Sequence, residues 1–336
     1  MAMWESDTVN QTPMISVGEC ALPLIDALVR DADRLRLRVS QLPGGSTFID
    51  AGIECQGGIE AGRRLVELCL AGLGSASIGP GGAGASVAWP FAITVASSQP
   101  VLACLASQYA GWQLKDPAGG KFNALGSGPA RALARSEALF NDLGYADRPA
   151  ERAVLVLEAD RSPPAGVVDR VAPACALPAE SLVFVVAPTT SMAGLTQVVG
   201  RVLETALHKA HALEFPLSAI VDGMGSAPLC PPSPDFLTSM SRGNDAILFG
   251  GRVQLLVDAD DDSASDLARR LPCTTSSDYG RPFGELFKAA GFDFYKIDPM
   301  LFAPAQVLVT NLRSGRSFSG GHLNDELLAR AFGGPE

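Results

Sequence analysis

The chain of 336 residues exceeds what one hydrophobic core usually organises, so two lobes with a ligand-binding cleft between them are expected. A formal charge of −10, with 26 Lys and Arg against 36 Asp and Glu, opposes attraction to nucleic acid or an anionic membrane, and neither is expected as a partner. Seven scattered cysteines without a Cys-x-x-Cys, an N-terminus without a basic region followed by an apolar one, and no apolar run of membrane-spanning length predict a soluble cytoplasmic protein with reduced thiols, without disulfides or a zinc site.

From the N-terminus, apolar spacing predicts an amphipathic helix near residues 19–38, with Leu22, Ile25, Leu28 and Val29 on one face before the Pro43-Gly-Gly turn. Phe48-Ile-Asp-Ala-Gly reads as a strand, residues 58–72 as a helix, and Phe91-Ala-Ile-Thr-Val as a strand after a Gly-rich loop. Helices are expected from Pro100 to Trp112 and over 129–143. Val154-Leu-Val-Leu-Glu158 then opens a second half, which divides the chain into an N-terminal α/β lobe over 14–150 and a C-terminal α/β lobe over 151–333. Further strands are expected at Val183-Phe-Val-Val-Ala, Ala219-Ile-Val-Asp, Ala246-Ile-Leu-Phe, Val253-Gln-Leu-Leu-Val and Val307-Leu-Val-Thr, and helices over 196–213, 264–271 and 282–290. Strands and helices mix without strict alternation, which predicts an α/β fold with a partly antiparallel sheet. One echo stands out: Gly62-Arg-Arg64-Leu-Val-Glu67 and Gly200-Arg201-Val-Leu-Glu204 both set Arg and Glu three apart at a helix start, as a duplicated unit or a common helical pattern would.

On the helix over 196–213, Leu195, Val198, Val199, Val202, Leu203, Ala206, Leu207, Ala210 and Leu213 form one apolar stripe. Arg201, Glu204, Thr205 and His208 fall together on another, because residues three and four apart are neighbours. By spacing alone Arg201 and Glu204 read as an exposed ion pair, which is common and contributes little. Gly126-Ser-Gly-Pro-Ala-Arg131 has the ingredients of a helix N-terminus, with Ser127 as cap, Pro129 near the first helical position and free amides for an anion; an ordinary tight loop fits equally. Pro188-Thr189-Thr190-Ser191 ends a strand just before the Arg201 helix, where hydroxyls either contact ligands or cap. Asp293, Tyr295, Lys296 and Asp298 stand among Phe292, Phe294 and Phe302, and buried charge is costly unless paired or facing a ligand, so this stretch reads as the wall of a polar pocket.

Three other patterns carry no site. Gly79-Pro-Gly-Gly-Ala-Gly84 lacks the following helix that a dinucleotide phosphate needs. Asp258, Asp260 and Asp262 open like a calcium loop, but Ser263 replaces the turn glycine and Arg269 the closing Glu, which leaves a solvated turn. His208 and His211 lie one turn apart without further ligands, so no metal is assigned, and His208 is expected to border the pocket.

Gly126-Ser-Gly-Pro-Ala-Arg-Ala-Leu133, Asn244-Asp245, Cys273-Thr-Thr-Ser-Ser-Asp-Tyr-Gly280 and the run from Gly291 to Gln306 together resemble methenyltetrahydromethanopterin cyclohydrolase, over about residues 14–332. The resemblance implies two lobes around a deep pterin cleft, a homotrimer, and Arg201 with Glu204 as the catalytic pair. It also implies a substrate site built from Ser107, Gln108 and Tyr109, from Ser127 and Arg131, and from Thr190 and Ser191. Asn244, Asp245, Tyr279, Tyr295 and Lys296 complete that expected lining. Archaeal members carry Lys within Ser-Gln-Lys-Ala-Gly-Trp, where this chain reads Ser107-Gln108-Tyr109-Ala-Gly-Trp112. A phenol carries no positive charge at neutral pH, so Tyr109 cannot copy a cationic role, and bacterial methylotrophy is the expected setting ahead of methanogenesis.

The implied substrate is a cyclic amidinium whose methine carbon is attacked by water, giving a carbinolamine that opens to the formyl form. Glu204 is expected to hold the water, accept its proton and pass it to the departing nitrogen, while Arg201 keeps that carboxylate ionised and oriented. Because the electrophile is already positive, a cofactor-free hydrolase is expected, with methenyl-tetrahydromethanopterin and water as its partners. Two rivals stand beside it: a nicotinamide dehydrogenase, for which no phosphate-binding glycine turn is evident, and a non-catalytic pterin-binding protein, which would not need both Arg201 and Glu204.

Overall fold

Two six-stranded mixed sheets organise the chain, seen in a computed structural model that describes residues 14–81 and 89–333 without the Tyr295 side chain. The strands are β1 Arg38–Gln41, β2 Thr47–Asp50, β3 Ser75–Pro80, β4 Phe91–Ser97, β5 Trp112–Lys115, β6 Asn123–Ser127, β7 Ala153–Leu157, β8 Leu182–Val186, β9 Ile220–Pro228, β10 Arg252–Val257, β11 Gln306–Asn311 and β12 Ser317–Gly321. The first sheet runs β1-β2-β8-β7-β6-β5 and the second β12-β11-β10-β9-β4-β3. In the first, β2, β8 and β7 are parallel; in the second only β10 and β11 are, so each sheet mixes both senses as the composition of elements predicts. The helices are α1 Val17–Arg30, α2 Ala32–Leu35, α3 Ile59–Cys69, α4 Ala130–Ala134, α5 Leu139–Leu143, α6 Ala165–Ala174, α7 Met192–Val199, α8 Val202–Ala212, α9 Phe236–Gly250, α10 Asp261–Arg270, α11 Phe283–Ala289 and α12 Asp325–Phe332, together with a π-helix over Val101–Gln108.

Every residue of β7 and β8 is buried, because helices cover both faces of their sheet. Val154, Val156, Val183 and Val185 meet Ile25 and Leu28 of α1 and Leu65 and Leu68 of α3, whereas Leu155, Leu157, Phe184 and Val186 meet Val167, Val168 and Val171 of α6. The other side of α3, at Val66 and continuing to Leu70 just after the helix, belongs to the core of the second sheet, as do Leu195 and Val199 of α7. Helices α3 and α7 are therefore a layer shared by both sheets. Their contact is close: a Cβ on Gly62 would sit 2.6 Å from the Ala193 carbonyl oxygen and 2.6 Å from Thr196 Cβ. Gly62→Ala is expected to destabilise the protein by about 2–3 kcal/mol, read from its urea midpoint, because the obstacle includes backbone that a rotamer change cannot move. The second sheet buries Val253, Leu255, Val257, Val307 and Val309, while Met224, Ser226, Gln254, Leu308 and Thr310 of its opposite face remain partly or fully exposed.

Several expected elements differ. The helix expected over 19–38 stops at Arg30, and after α2 the chain turns through Arg36, whose φ of 59° is left-handed, into β1. The helix expected from Pro100 to Trp112 is a π-helix that ends at Gln108, with Trp112 already in β5. The helix expected over 129–143 breaks at Arg135, another left-handed residue, into α4 and α5. Ala246-Ile-Leu-Phe is the last turn of α9 and not a strand; the Asp235 side chain, accepting from Thr238 N, starts a helix whose buried face ends in those apolar residues. The boundary expected at residue 150 does not separate the sheets, since β7 and β8 complete the first and β3 and β4 complete the second. The Gly-rich run that ends at Gly84 extends outside the described residues. Asp260 caps α10 through Ser263 N and Asp258 pairs with Arg313, so both carboxylates of that turn have structural partners.

Candidate active site

The apolar stripe expected over 196–213 is buried from Leu195 to Ala210 and half-buried at Leu213, but the helix itself is interrupted at Gly200 and Arg201. A Cβ on Gly200 would lie 2.3 Å from Val66 Cγ2, so the break falls where α3 presses closest. Arg201 occupies the N-cap position of α8, and Glu204 lies in its first turn, where the helix dipole favours an anion. Arg201 donates from Nε at 3.0 Å and from Nη2 at 2.7 Å, both to Glu204 Oε2. Their side chains are 13% and 4% exposed, which replaces the surface ion pair of the spacing argument with an enclosed one. Burial works against the Arg201 charge, but the neighbouring Glu204 carboxylate outweighs it and holds the guanidinium above its ordinary value. With Oε2 taking both N–H groups, Oε1 accepts no hydrogen bond from the described residues and is available to a water or a ligand.

The π-helix brings a second segment to this pair. A π-helix is rare and tends to mark a functional position, and this one ends at Ser107-Gln108-Tyr109. Ser107 Oγ donates to the Cys69 carbonyl at 2.5 Å and Ser127 Oγ to the Gln108 carbonyl at 2.5 Å, so these hydroxyls fasten the segment from both sides. Ser127 lies in β6 and does not cap α4, contrary to the reading of its motif; α4 has no side-chain cap. Gln108 Nε2 donates to the Gly200 carbonyl at 3.3 Å, and its buried Oε1 has no partner. Tyr109 packs against two side chains, its ring 4.6 Å from that of His208 at 17° and 5.2 Å from the Arg131 guanidinium. Burial raises the Tyr109 phenol, with the Glu204 and Glu137 carboxylates adding to the effect, and burial lowers His208. The aromatic pair therefore presents an uncharged surface beside Glu204. Arg131 is fully buried, ion-paired to Glu137 and bonded to the carbonyls of Leu105 at 3.1 Å and Ser107 at 3.0 Å. It braces the π-helix, and its geometry is that of a support.

The remaining expected residues divide. Thr190 is half-buried with a free hydroxyl at the entrance to α7, whereas Ser191 is spent on capping that helix through Gly194 N at 3.0 Å and on the carbonyls of Ala51 and Pro188. Asn244 donates back to the Met240 carbonyl, and Asp245 accepts from Phe283 N at 2.8 Å and Ser241 Oγ at 3.0 Å, which starts α11. Tyr279 packs on Phe249 and His322 and its hydroxyl accepts from Asn324; Lys296 is exposed; the Tyr295 side chain lies outside the described residues. No hydrogen bond, ion pair or ring contact joins Asn244, Asp245, Tyr279 or Lys296 to Glu204 among the described residues. The stretch expected to form a polar wall carries an aromatic cluster of Phe283, Phe287, Phe292, Phe294 and Phe302, with Asp298 accepting from Ser276 Oγ and Ser277 N. Lys209 ties this region to α8, its Nζ donating to Pro272 O at 2.7 Å, Met300 O at 2.7 Å and Thr275 Oγ1 at 2.9 Å; burial brings it down to about 8. A cavity of about 830 Å³ opens at the far end of α8 among Val101, Asp142, His211 and Phe215, and neither Arg201 nor Glu204 lines it.

Burial pushes Asp245 up to about 7, against the backbone bond from Phe283 and that from Ser241. A carboxyl with a folded value above its unfolded one favours folding below the unfolded value and loses that advantage as pH rises through the folded one. Stability is therefore expected to fall between about pH 4 and pH 7, and Asp245→Asn to flatten that slope in urea denaturation at pH 5 and pH 8.

Sequence reasoning missed two groups. Glu158 closes the apolar β7 run, where a charge after Leu157 was itself a signal, and Gln197 lies one turn before Arg201 with a buried Oε1 that lacks a partner.

Residues 16–332 match the family model described as Cyclohydrolase (MCH). The chain is 54% identical over 326 residues to the methenyltetrahydromethanopterin cyclohydrolase of Xanthobacter autotrophicus, covering 97% of this chain and 95% of that protein. It is 56% identical to the protein of that name from Methylobacterium organophilum, covering 94% and 97%, and 41% identical to that from Methanothermobacter marburgensis, covering 95% and 100%. By these matches the chain belongs to the methenyltetrahydromethanopterin cyclohydrolase family.

Proposed function

We propose that this protein interconverts the methenyl and 5-formyl forms of a tetrahydromethanopterin-type carrier, adding water to the methenyl cation and releasing one proton to give the neutral formyl compound. The observation that carries the reading is the Arg201–Glu204 pair, enclosed, fixed through Oε2 and open at Oε1. Glu204 Oε1 receives the water and takes its proton as the oxygen bonds to the methine carbon. The same carboxyl then protonates the ring nitrogen whose carbon–nitrogen bond breaks, and the carbinolamine hydroxyl gives its proton to solvent as the formyl carbonyl forms. Arg201 holds the carboxylate in one orientation and leaves Nη1 for the developing oxygen charge. The substrate cation supplies its own electrophile, so no cofactor is required. The pterin binds beside Glu204, where the stacked Tyr109 and His208 rings border the pair.

The higher identity to the Xanthobacter and Methylobacterium proteins than to the Methanothermobacter protein supports a role in bacterial one-carbon oxidation, which we place in the cytoplasm. The family resemblance supports assembly into a homotrimer, for which light scattering should give about three times the chain mass of 34.9 kDa. The activity is tested by mixing the enzyme with purified methenyl-tetrahydromethanopterin and following the methenyl chromophore. Its loss at an enzyme-dependent rate is the expected result; binding without loss would reinstate the non-catalytic pterin protein.

A further inference from the structure

Arg201 and Glu204 cancel one another's charge, so the pair alone offers little net attraction to a cationic substrate. A second carboxylate stands near it. Glu158 directly follows β7, and strand alternation puts its side chain on the face of Val154 and Val156, the face that meets α1 and α3. Glu158 is half-buried and makes no hydrogen bond or ion pair among the described residues. Burial raises its carboxyl and the Arg201 charge works against that rise. The neighbouring segments supply uncharged groups that do not titrate. Ala187 N donates to the Leu157 carbonyl and leads to Thr189, whose buried Oγ1 lacks a partner, and Gln197 Oε1 lacks one a turn before Arg201.

We propose that Glu158 is the counter-carboxylate for the substrate cation, so that the site discriminates between the two forms of the carrier by charge. The proposal rests on the cyclohydrolase reading and adds a residue to it. Binding of the methenyl form favours the ionised carboxylate, and a proton held by Glu158 in the empty site passes to solvent. Once the ring has opened the ligand is neutral, this attraction is gone, and the product leaves without breaking an ion pair.

The test is to measure both directions in Glu158→Gln. The KM for the methenyl cation in ring opening is expected to rise about tenfold, while the KM for the neutral formyl form in ring closure stays within about twofold and serves as the control for folding. An equal rise in both, or no rise in either, would overturn the proposal. Should Glu158→Gln not fold, wild-type enzyme decides: the KM for the cation should rise as pH falls while that for the formyl form stays level, and parallel behaviour of the two overturns the idea. A wild-type protein inactive on the methenyl form fails the cyclohydrolase reading itself, a result distinct from normal turnover without charge selectivity in the variant.

Discussion

In Glu204→Gln, ring opening is expected to slow by about 1,000-fold at saturating substrate while the pterin still binds. The amide has the shape of the carboxylate, and its carbonyl oxygen can accept the two N–H groups that Arg201 now gives to Oε2. What it loses is the capacity to take a proton from the water and return it to the leaving nitrogen. The loss should therefore fall on kcat, with KM nearly unchanged, because the interaction removed is made only as bonds change. The decay of the methenyl absorbance, measured across substrate concentrations, separates the two parameters. A variant with kcat within about threefold of wild type would remove Glu204 from the proton transfer.

The second large effect is expected from Arg201→Met, and here activity and stability move together. The side chain of Glu204 is 4% exposed, so taking away the guanidinium leaves an enclosed carboxylate without its ionic partner. Removing one member of an enclosed pair costs about 3–5 kcal/mol, whereas replacing both with uncharged groups costs far less. Arg201→Met should lower the unfolding free energy by an amount in that range and lower kcat by about 100-fold. Adding Glu204→Gln to it should recover about 2 kcal/mol of the stability and none of the activity. Urea denaturation of the two single variants and the double variant provides the cycle. If the double variant is less stable than Arg201→Met alone, the carboxylate has another partner in the folded state.

Much of this arrangement is legible from local pattern. The apolar stripe of α8 announces its buried face, and the (i, i+3) spacing of Arg201 and Glu204 places them side by side. What spacing cannot show is that α3 closes over them, because that depends on Gly62 and Gly200 letting two distant helices touch. The apparent echo at Arg64 and Glu67 illustrates the limit: with the same spacing, Arg64 turns to Asp31 and Glu60, and Glu67 pairs with Arg63. Arg131, Ser127 and Asp245 follow the same rule. Their motifs mark positions where the chain needs a polar group, and the structure uses the polar group to hold backbone in place. The π-helix left no periodic trace, since eight residues of Val, Leu, Ala, Cys, Ser and Gln satisfy an α-helical pattern equally well.

The exchange of strands between the two sheets has a consequence for how the protein is made. As the chain leaves the ribosome, the β3–β4 hairpin emerges long before β9, the strand against which β4 must lie, and at ordinary synthesis speeds that wait is on the order of ten seconds. During it, the edge of β4 that β9 will occupy is open, with Ile93 and Val95 beside it still without the core that later buries them. A nascent chain halted between β4 and β9 should thus be held by chaperones, and a fragment ending near residue 150 should be insoluble, for neither half carries a finished sheet.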